Sequence, residues 1–129
     1  MRLFLDTNLF IAVLGQEADH APVARDVLNS DHDLYTSVLN LMEVRSVLSK
    51  KERFGRERLD RAEQRISSKT TVTVLDAGDV LDANERQSAT LLYPMDALIL
   101  TAAESADATL VSFDSELQEH GALPPGEVV

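Results

Sequence analysis

Short apolar runs alternate with longer segments of helical periodicity along the chain. The runs predict five strands, at Leu3 to Leu5, Leu34 to Thr36, Thr71 to Leu75, Thr109 to Ser112 and Glu127 to Val129. Strands that alternate with helices form βαβ units, in which the strands lie parallel. The pattern therefore predicts an α/β fold, a three-layer αβα sandwich around a mostly parallel five-stranded sheet.

Capping residues, proline and glycine mark the helix ends. Ser37 favours the start of a helix that extends to about Phe54, and Gly55 favours its end. Pro94 interrupts the helical pattern between two further helices. The other helices are expected to begin near Leu9, Asp19, Arg56, Asp76, Met95 and Asp114.

Length and composition indicate one domain. The 129 residues, 44% of them hydrophobic, are enough for one core and too few for two ordinary ones, so residues 1–129 are interpreted as a single domain. No segment approaches the roughly 20 apolar residues needed to cross a bilayer. Asp6 and Asn8 also interrupt the stretch where a signal peptide would be apolar. We expect a cytoplasmic protein with no membrane contact.

The chain contains no cysteine, which limits its chemistry. A disulfide, a thiolate zinc site and a thiol nucleophile are excluded, so any metal must be held by oxygen or imidazole. The three histidines, His20, His32 and His120, have no metal-like spacing and are interpreted as solvated residues near turns.

The formal net charge is -10, which disfavours contact with nucleic acid, because phosphate binding depends mainly on lysine and arginine. Nine of the twelve basic residues nevertheless fall within positions 45–69, a window that carries +5. By itself this window indicates a solvated helical hairpin with many ion pairs.

Two acidic residues directly follow predicted strands. Asp6 follows the first strand, and Asp114 comes just after the fourth. Ligands of open parallel sheets bind outside the carboxyl ends of the strands, where the strand order reverses. Each residue alone is better explained as a helix N-cap, because aspartate is a favoured cap and a helix follows both.

Two further acids have apolar surroundings. Leu39 and Val47 lie four residues to either side of Glu43 on one helical face, and Asp96 is followed by a largely apolar helix. Partly buried carboxylates are unfavourable without donors or a cation, and no basic residue adjoins either one. Four such acids call for a shared counter-ion, and oxygen ligands are those that Mg²⁺ or Mn²⁺ prefers.

The sequence resembles a PIN domain, and within that family it is most similar to VapC-type toxins. Four segments carry the resemblance, and they occur in the family's order over nearly the whole chain. They are Asp6-Thr7-Asn8, Ser37-Val38-Leu39-Asn40-Leu41-Met42-Glu43, Asp96-Ala97-Leu98-Ile99 and Leu110-Val111-Ser112-Phe113-Asp114.

The resemblance implies a PIN-like, Rossmann-like sandwich and hydrolysis of RNA phosphodiesters by a metal-activated water. It implies that Asp6, Glu43, Asp96 and Asp114 form the catalytic, metal-binding set, with Asp6 and Asp96 as the direct ligands of Mg²⁺ or Mn²⁺. Asn8 and Ser112 would be supporting polar residues. The implied partners are RNA, a cognate antitoxin and a second copy of the chain. RNA or partner contact is expected at Arg45, Arg56, Arg58 and Arg61.

Two positions depart from the family pattern. Family members usually have threonine where Ser112 stands, a change that keeps the hydroxyl. Some also carry a further aspartate shortly after the last acid, where this chain offers Glu116, and two more residues along a helix should point that side chain elsewhere.

Three other functions are compatible with parts of the pattern. A haloacid dehalogenase-like phosphatase also places an aspartate after its first strand, but it needs a second acid where Asn8 stands. A PIN domain that has lost catalysis would bind RNA or a partner only. A housekeeping RNA-processing nuclease would have the same motifs as a toxin, and a small antitoxin gene beside this one would distinguish the two.

Overall fold

The computed structural model describes residues 1–129. Four strands and seven α-helices alternate along the chain, and a short 3-10 helix, Pro125–Glu127, follows them. In chain order the elements are β1 Arg2–Leu5, α1 Thr7–Leu14, α2 Ala21–Leu28, β2 Asp33–Ser37, α3 Val38–Lys50, α4 Arg56–Lys69, β3 Thr71–Thr73, α5 Ala77–Thr90, α6 Pro94–Ser105, β4 Thr109–Val111 and α7 Ser115–Glu119.

The strands form one parallel sheet in the order β3-β2-β1-β4. Leu3 is aligned with Leu34 of β2 on one side and with Thr109 of β4 on the other. The chain builds outward from β1 in one direction and later returns to its other side, so the strand order reverses beside β1. The predicted α/β class and parallel sheet are confirmed.

Residues of β1 alternate between the two faces of the sheet, as a strand's period of two requires. Leu3 and Leu5 belong to a core cluster built with helices α1 to α4, whereas Phe4 belongs to a second cluster that includes residues of α6 and α7. All three side chains are fully buried. Helices therefore cover both faces of the sheet.

The predicted fifth strand at Glu127 to Val129 is wrong. This segment follows two prolines, and proline has no amide hydrogen to donate to a strand ladder. Pro125 instead begins the 3-10 helix, and Val128 is buried in the core. Pairing with β4 is limited to an isolated bridge between Val111 and Leu123.

The helix starts follow the predicted capping chemistry more closely than the ends do. Ser37 caps α3 in a reciprocal capping box with Asn40. Helix α3 ends at Lys50, and Gly55 serves as the N-cap of α4 rather than as the end of α3. None of the helices combines the length and the apolar character that crossing a bilayer requires.

Candidate active site

Asp6 lies at the carboxyl end of β1 and also caps α1. Its Oδ1 accepts a hydrogen bond from the backbone N–H of Thr7 at 2.8 Å, and its Oδ2 accepts one from the hydroxyl of Ser112 at 2.7 Å. Only 8% of the residue is exposed. The capping role and the buried site are thus properties of the same carboxylate.

Ser112 links this carboxylate to two other segments. Its Oγ accepts hydrogen bonds from Nδ2 of Asn8 and from the backbone N–H of Asp114, both at 3.0 Å. Asn8 in turn accepts a hydrogen bond from the backbone N–H of Phe113 at 3.3 Å. With one bond donated and two accepted, the hydroxyl of Ser112 has no free hydrogen-bonding capacity. The loop after β4 is therefore fixed against the start of α1.

The pKa of Asp6 is raised to about 6. Burial is the main cause, because it disfavours the charged form, and the negative charges of Glu43 and Asp96 add to it. The hydrogen bonds from Ser112 and Thr7 oppose the rise. Asp6 is therefore within the electrostatic influence of acids carried by α3 and α6.

Asp96, in the first turn of α6, has a raised pKa too. Burial is again the largest cause, followed by the charges of Asp114, Glu116 and Glu43. The four acids proposed from the sequence, which come from four different elements, thus lie at one edge of the sheet. The charge of Glu116 also raises the pKa of Asp96, although its position two residues after Asp114 predicted a side chain that points elsewhere.

Asp114 is exposed and caps α7, where Oδ1 accepts hydrogen bonds from the backbone N–H groups of Glu116 and Leu117 at 2.8 and 3.4 Å. None of the four proposed acids forms an ion pair with a lysine, arginine or histidine. No three acidic or histidine side chains lie close enough together, in their present rotamers, to ligate one metal ion. The four acids are therefore close enough to raise the pKa values of Asp6 and Asp96, but in these rotamers they do not form a metal coordination sphere.

The sequence did not predict that the cap residue Ser37 belongs to a buried chain of hydrogen bonds that connects α3 with the residue after Asp6. The hydroxyl of Ser37 donates to Oδ1 of Asn40 at 2.6 Å, and Nδ2 of Asn40 donates to Oγ1 of Thr7 at 3.1 Å. Ser37 and Asn40 are fully buried. The chain ties the start of α3, which carries Glu43, to the residue after Asp6. Buried polar residues at the start of an amphipathic helix were the signal that could have identified it.

The arginines predicted to contact RNA or a partner have different environments. Arg45 is paired with Asp60 and Glu63 at 3.3 and 2.8 Å, so its charge is used within the α3–α4 hairpin. Arg56, Arg58 and Arg61 form no ion pair.

Two adjoining cavities, of about 240 and 310 Å³, lie between α4 and the end of α1 and the start of α2. They share Val13, Gln16 and Arg65 and together form what we call the arginine groove. Its charged lining residues are Glu17, Arg25, Arg58, Arg61 and Arg65, and none of the four proposed acids lines it.

The comparison with known families gives one assignment. A family model described as the PIN domain matches residues 3–123. No curated protein matches the chain in sequence.

Several solved structures share the fold. A toxin-antitoxin complex from Klebsiella pneumoniae is similar with a TM-score of 0.78 and 17% identity, over 95% of this chain and 97% of that chain. VapC20 from Mycobacterium tuberculosis, a sarcin-ricin loop cleaving toxin, has a TM-score of 0.76 and 20% identity, over 94% of this chain and 96% of that one. VapBC-1 from nontypeable Haemophilus influenzae has a TM-score of 0.75 and 16% identity, over 98% and 99%. At these identities the likeness establishes a common fold.

Proposed function

Because the chain belongs to the PIN domain family, we propose that it is a divalent-metal-dependent endoribonuclease and the toxin of a VapBC-type toxin-antitoxin pair. One observation carries the proposal. Asp6 is a buried carboxylate without a basic partner, and its pKa is raised by burial and by acids on two other helices. A protein that only needed stability would gain by replacing such a group with a neutral one.

The donor set fits a hard divalent cation in its chemistry. Asp6 keeps one lone pair on each carboxylate oxygen, because each accepts one hydrogen bond and can accept two. Glu43 and Asp96 are partly exposed and form no ion pair, so their side chains are free to change rotamer. Asp114 caps α7 through Oδ1, which leaves its Oδ2 available to a ligand. We assign Asp6 and Asp96 as direct ligands of Mg²⁺ or Mn²⁺, with Glu43 and Asp114 acting through water or at a second ion.

A bound divalent cation would lower the pKa of a water molecule and neutralise charge on the phosphate being attacked. The protein's own contribution is positional. Ser112 and Thr7 hold the Asp6 carboxylate in one orientation, and Asn8 fixes the loop that carries Asp114. Precise placement of the acids before RNA arrives avoids reorganisation during the reaction.

The arginine groove suits an antitoxin better than RNA. Phe54, Leu14 and Val13 line it beside the arginines, and Arg58 stacks on the ring of Phe54 at 3.7 Å. Aromatic residues and arginine are enriched where proteins meet, whereas lysine and glutamate are depleted. We assign the groove to a segment of the cognate antitoxin.

A homodimer is the proposed state of the free protein. Helix α5 and the loop after it expose Leu81, Leu91 and Tyr93 by 67%, 88% and 74%. Large exposed apolar side chains carried by one helix and the loop after it favour association. Light scattering of the purified protein tests this state directly.

A housekeeping nuclease and a catalytically silent binding domain are the alternatives. The first would cleave RNA without an antitoxin partner, and the second would bind RNA without cleaving it. The buried, unpaired carboxylate of Asp6 favours an active site over a silent one, because a protein that only binds RNA has no need of it.

The first experiment compares wild type with Asp6→Asn and Asp33→Asn on a broad panel of labelled RNAs, with Mg²⁺ or Mn²⁺ and with excess chelator. Asp33 is exposed at the opposite, amino end of β2 and serves as the matched control. We expect cleavage by wild type and by Asp33→Asn with metal only, and none by Asp6→Asn. Undiminished cleavage in chelator would refute the metal requirement.

A further inference from the structure

His20 and Phe113 form a stacked pair of rings beside the candidate active site. Their centroids are 4.1 Å apart and their planes differ by 14°. Phe113 stands between Ser112 and Asp114 in the chain, and its backbone N–H donates to Asn8. The stack is therefore attached to the backbone that positions two of the polar residues of the site.

The stack, rather than a hydrogen bond, holds the His20 ring. His20 precedes α2 but forms no side-chain capping bond. Its nearest acidic atom, Oε1 of Glu17, is 3.6 Å from Nδ1, which is beyond hydrogen-bonding distance. Phe113 packs in turn against two core clusters, one that contains Phe10 and one that contains Val13. The imidazole thus lies flat on an anchored ring, while half of its side chain stays exposed.

Few other rings in the chain could receive a planar ligand. Tyr93 is exposed, but no second ring stacks on it. The other phenylalanine and tyrosine rings are buried or partly covered: Phe4 and Phe10 are in the core, Arg58 covers Phe54, and Arg2 covers Tyr35. His120 is exposed, but no second ring stacks on it.

We propose that the outer face of His20 is a stacking surface for one unpaired base of the RNA, next to the phosphate that is cut. This inference rests on the proposed ribonuclease function and names how its substrate is held. Proteins that recognise single-stranded RNA stack unpaired bases on aromatic side chains, histidine included. Phe113 and Asp114 are adjacent residues, so the stack and one of the four acids are carried by the same short loop after β4.

Stacking would also offset the electrostatic repulsion between this acidic chain and RNA. The net charge of -10 and the cluster of acids repel the phosphate backbone. Base stacking supplies affinity without positive charge, because every base has a π face. An enzyme whose site must be acidic can thus hold its substrate through the base.

The test measures binding in the Asp6→Asn background, so that RNA is not consumed. Short single-stranded RNAs carry the fluorescent base 2-aminopurine at successive positions, and stacking quenches its fluorescence. We expect quenching at one position, its loss in His20→Ala and His20→Leu, and its retention in His20→Phe. Affinity should fall about fivefold or more in the alanine and leucine variants, which is the lower range for base stacking on a protein ring.

His120→Ala is the matched control, because His120 is exposed and its side chain makes no hydrogen bond or ion pair. In the cleaving protein, His20→Leu should raise KM and leave kcat unchanged. Leucine still packs on Phe113, so an equal Tm separates loss of stacking from loss of folding.

The outcomes distinguish the two proposals. If wild type cleaves RNA and His20→Leu binds and cleaves it like His20→Phe, the stacking surface is refuted and the nuclease stands. If wild type cleaves no RNA and the Asp6→Asn protein binds none, both proposals fail.

Discussion

The hydroxyl of Ser112 donates to Oδ2 of Asp6 at 2.7 Å and joins the ends of two neighbouring strands, β4 and β1. Both residues are buried, and Ser112 has no exposed surface. The hydrogen bond is the main opposition to the burial that raises the pKa of Asp6. This hydroxyl therefore contributes both to the orientation of the Asp6 carboxylate and to its pKa.

Replacing Ser112 by alanine should raise the pKa of Asp6 above its value of about 6. A hydrogen bond to a charged group contributes about 1.5–3 kcal/mol, which corresponds to about one to two pH units. The acid limb of the cleavage profile should shift to higher pH by that amount. Ser112→Thr keeps the hydroxyl and should keep the limb in place. An unshifted limb in the alanine variant would mean that another group controls it.

The stability of the protein should depend on Asp6 in a defined pH window. Its pKa is 3.8 in the unfolded chain and about 6 in the fold, so the folded state binds more protons between these values. The contribution of Asp6 to the free energy of unfolding is therefore highest below pH 4, where Asp6 is protonated, and falls as pH rises through 6 and Asp6 ionises. The loss amounts to about 3 kcal/mol above pH 7 in the absence of metal.

Asp6→Asn removes this pH-dependent loss but also weakens the bond with Ser112, at a cost of about 1 kcal/mol. We therefore expect the variant to be about 2 kcal/mol more stable than wild type at pH 8 and slightly less stable at pH 4. Urea denaturation of both proteins at the two pH values, with chelator present, measures the crossing. Added Mg²⁺ should stabilise wild type only, since a ligand that binds the folded state stabilises it. The same difference in stability between the two proteins at both pH values would contradict the raised pKa of Asp6.

Asp96→Asn and Glu116→Gln should show which of these two acids is a metal ligand and which only lies nearby. Both acids lie in the same electrostatic field, but Asp96 is partly buried and Glu116 is exposed. Loss of a group that merely orients a ligand costs roughly 10- to 100-fold in activity, so loss of Asp96 should cost at least that. Glu116→Gln should change kcat by less than about threefold, in the range of an exposed charge. Equal losses in both variants, with Tm values matching wild type, would make Glu116 a member of the ligand set.

Sequence patterns located the strand-end acids because strand ends and caps are local features. Asp6 and Asp114 directly follow apolar runs, and the alternation of strands and helices sends both to the same edge of a parallel sheet. The polar chain through Asn40 could not be foreseen in the same way. It depends on how closely α3 approaches α1, which is set by packing between residues far apart in the chain.

The ends of elements were the least predictable feature. The last strand failed because two prolines outweigh the β-propensity of a terminal valine pair. Pro94 marks an interruption of the helical pattern, yet α5 already stops at Thr90, and Leu91 turns the chain with φ 60°. Glycine usually occupies such a left-handed position, and its absence hid the turn.

Leu91→Gly should stabilise the protein. Leu91 is 88% exposed, so its side chain contributes little packing, and its left-handed backbone costs about 1–2 kcal/mol in a residue with a Cβ atom. Glycine relieves that strain but adds freedom to the unfolded chain, which leaves a net gain of about 0.5 kcal/mol. Leu81→Gly is the matched control, since Leu81 is exposed within α5 and should lose about 1 kcal/mol. The denaturation midpoint should rise in Leu91→Gly and fall in Leu81→Gly. A lower midpoint in both variants would contradict the left-handed turn at Leu91.

Charge reversal should show that the arginine groove serves a protein partner. Arg61→Glu removes a positive charge that has no acidic partner in the structure, so Tm should stay unchanged. Arg58→Glu also loses the stacking of Arg58 on Phe54, which contributes about 0.5–1 kcal/mol, so Tm should fall slightly. Arg45→Glu breaks two ion pairs within the α3–α4 hairpin and should lower Tm.

We expect the double variant Arg58→Glu/Arg61→Glu to cleave RNA with the KM of wild type and to escape inhibition by the proposed cognate antitoxin. The measurements are KM at several salt concentrations and inhibition by the purified antitoxin. If the groove binds RNA instead, KM rises and the slope of log affinity against log salt falls by about 0.7 for each phosphate that the variant no longer neutralises. Retained inhibition with such a change in slope would assign these arginines to the substrate, and the acids and the groove would then form one continuous RNA path.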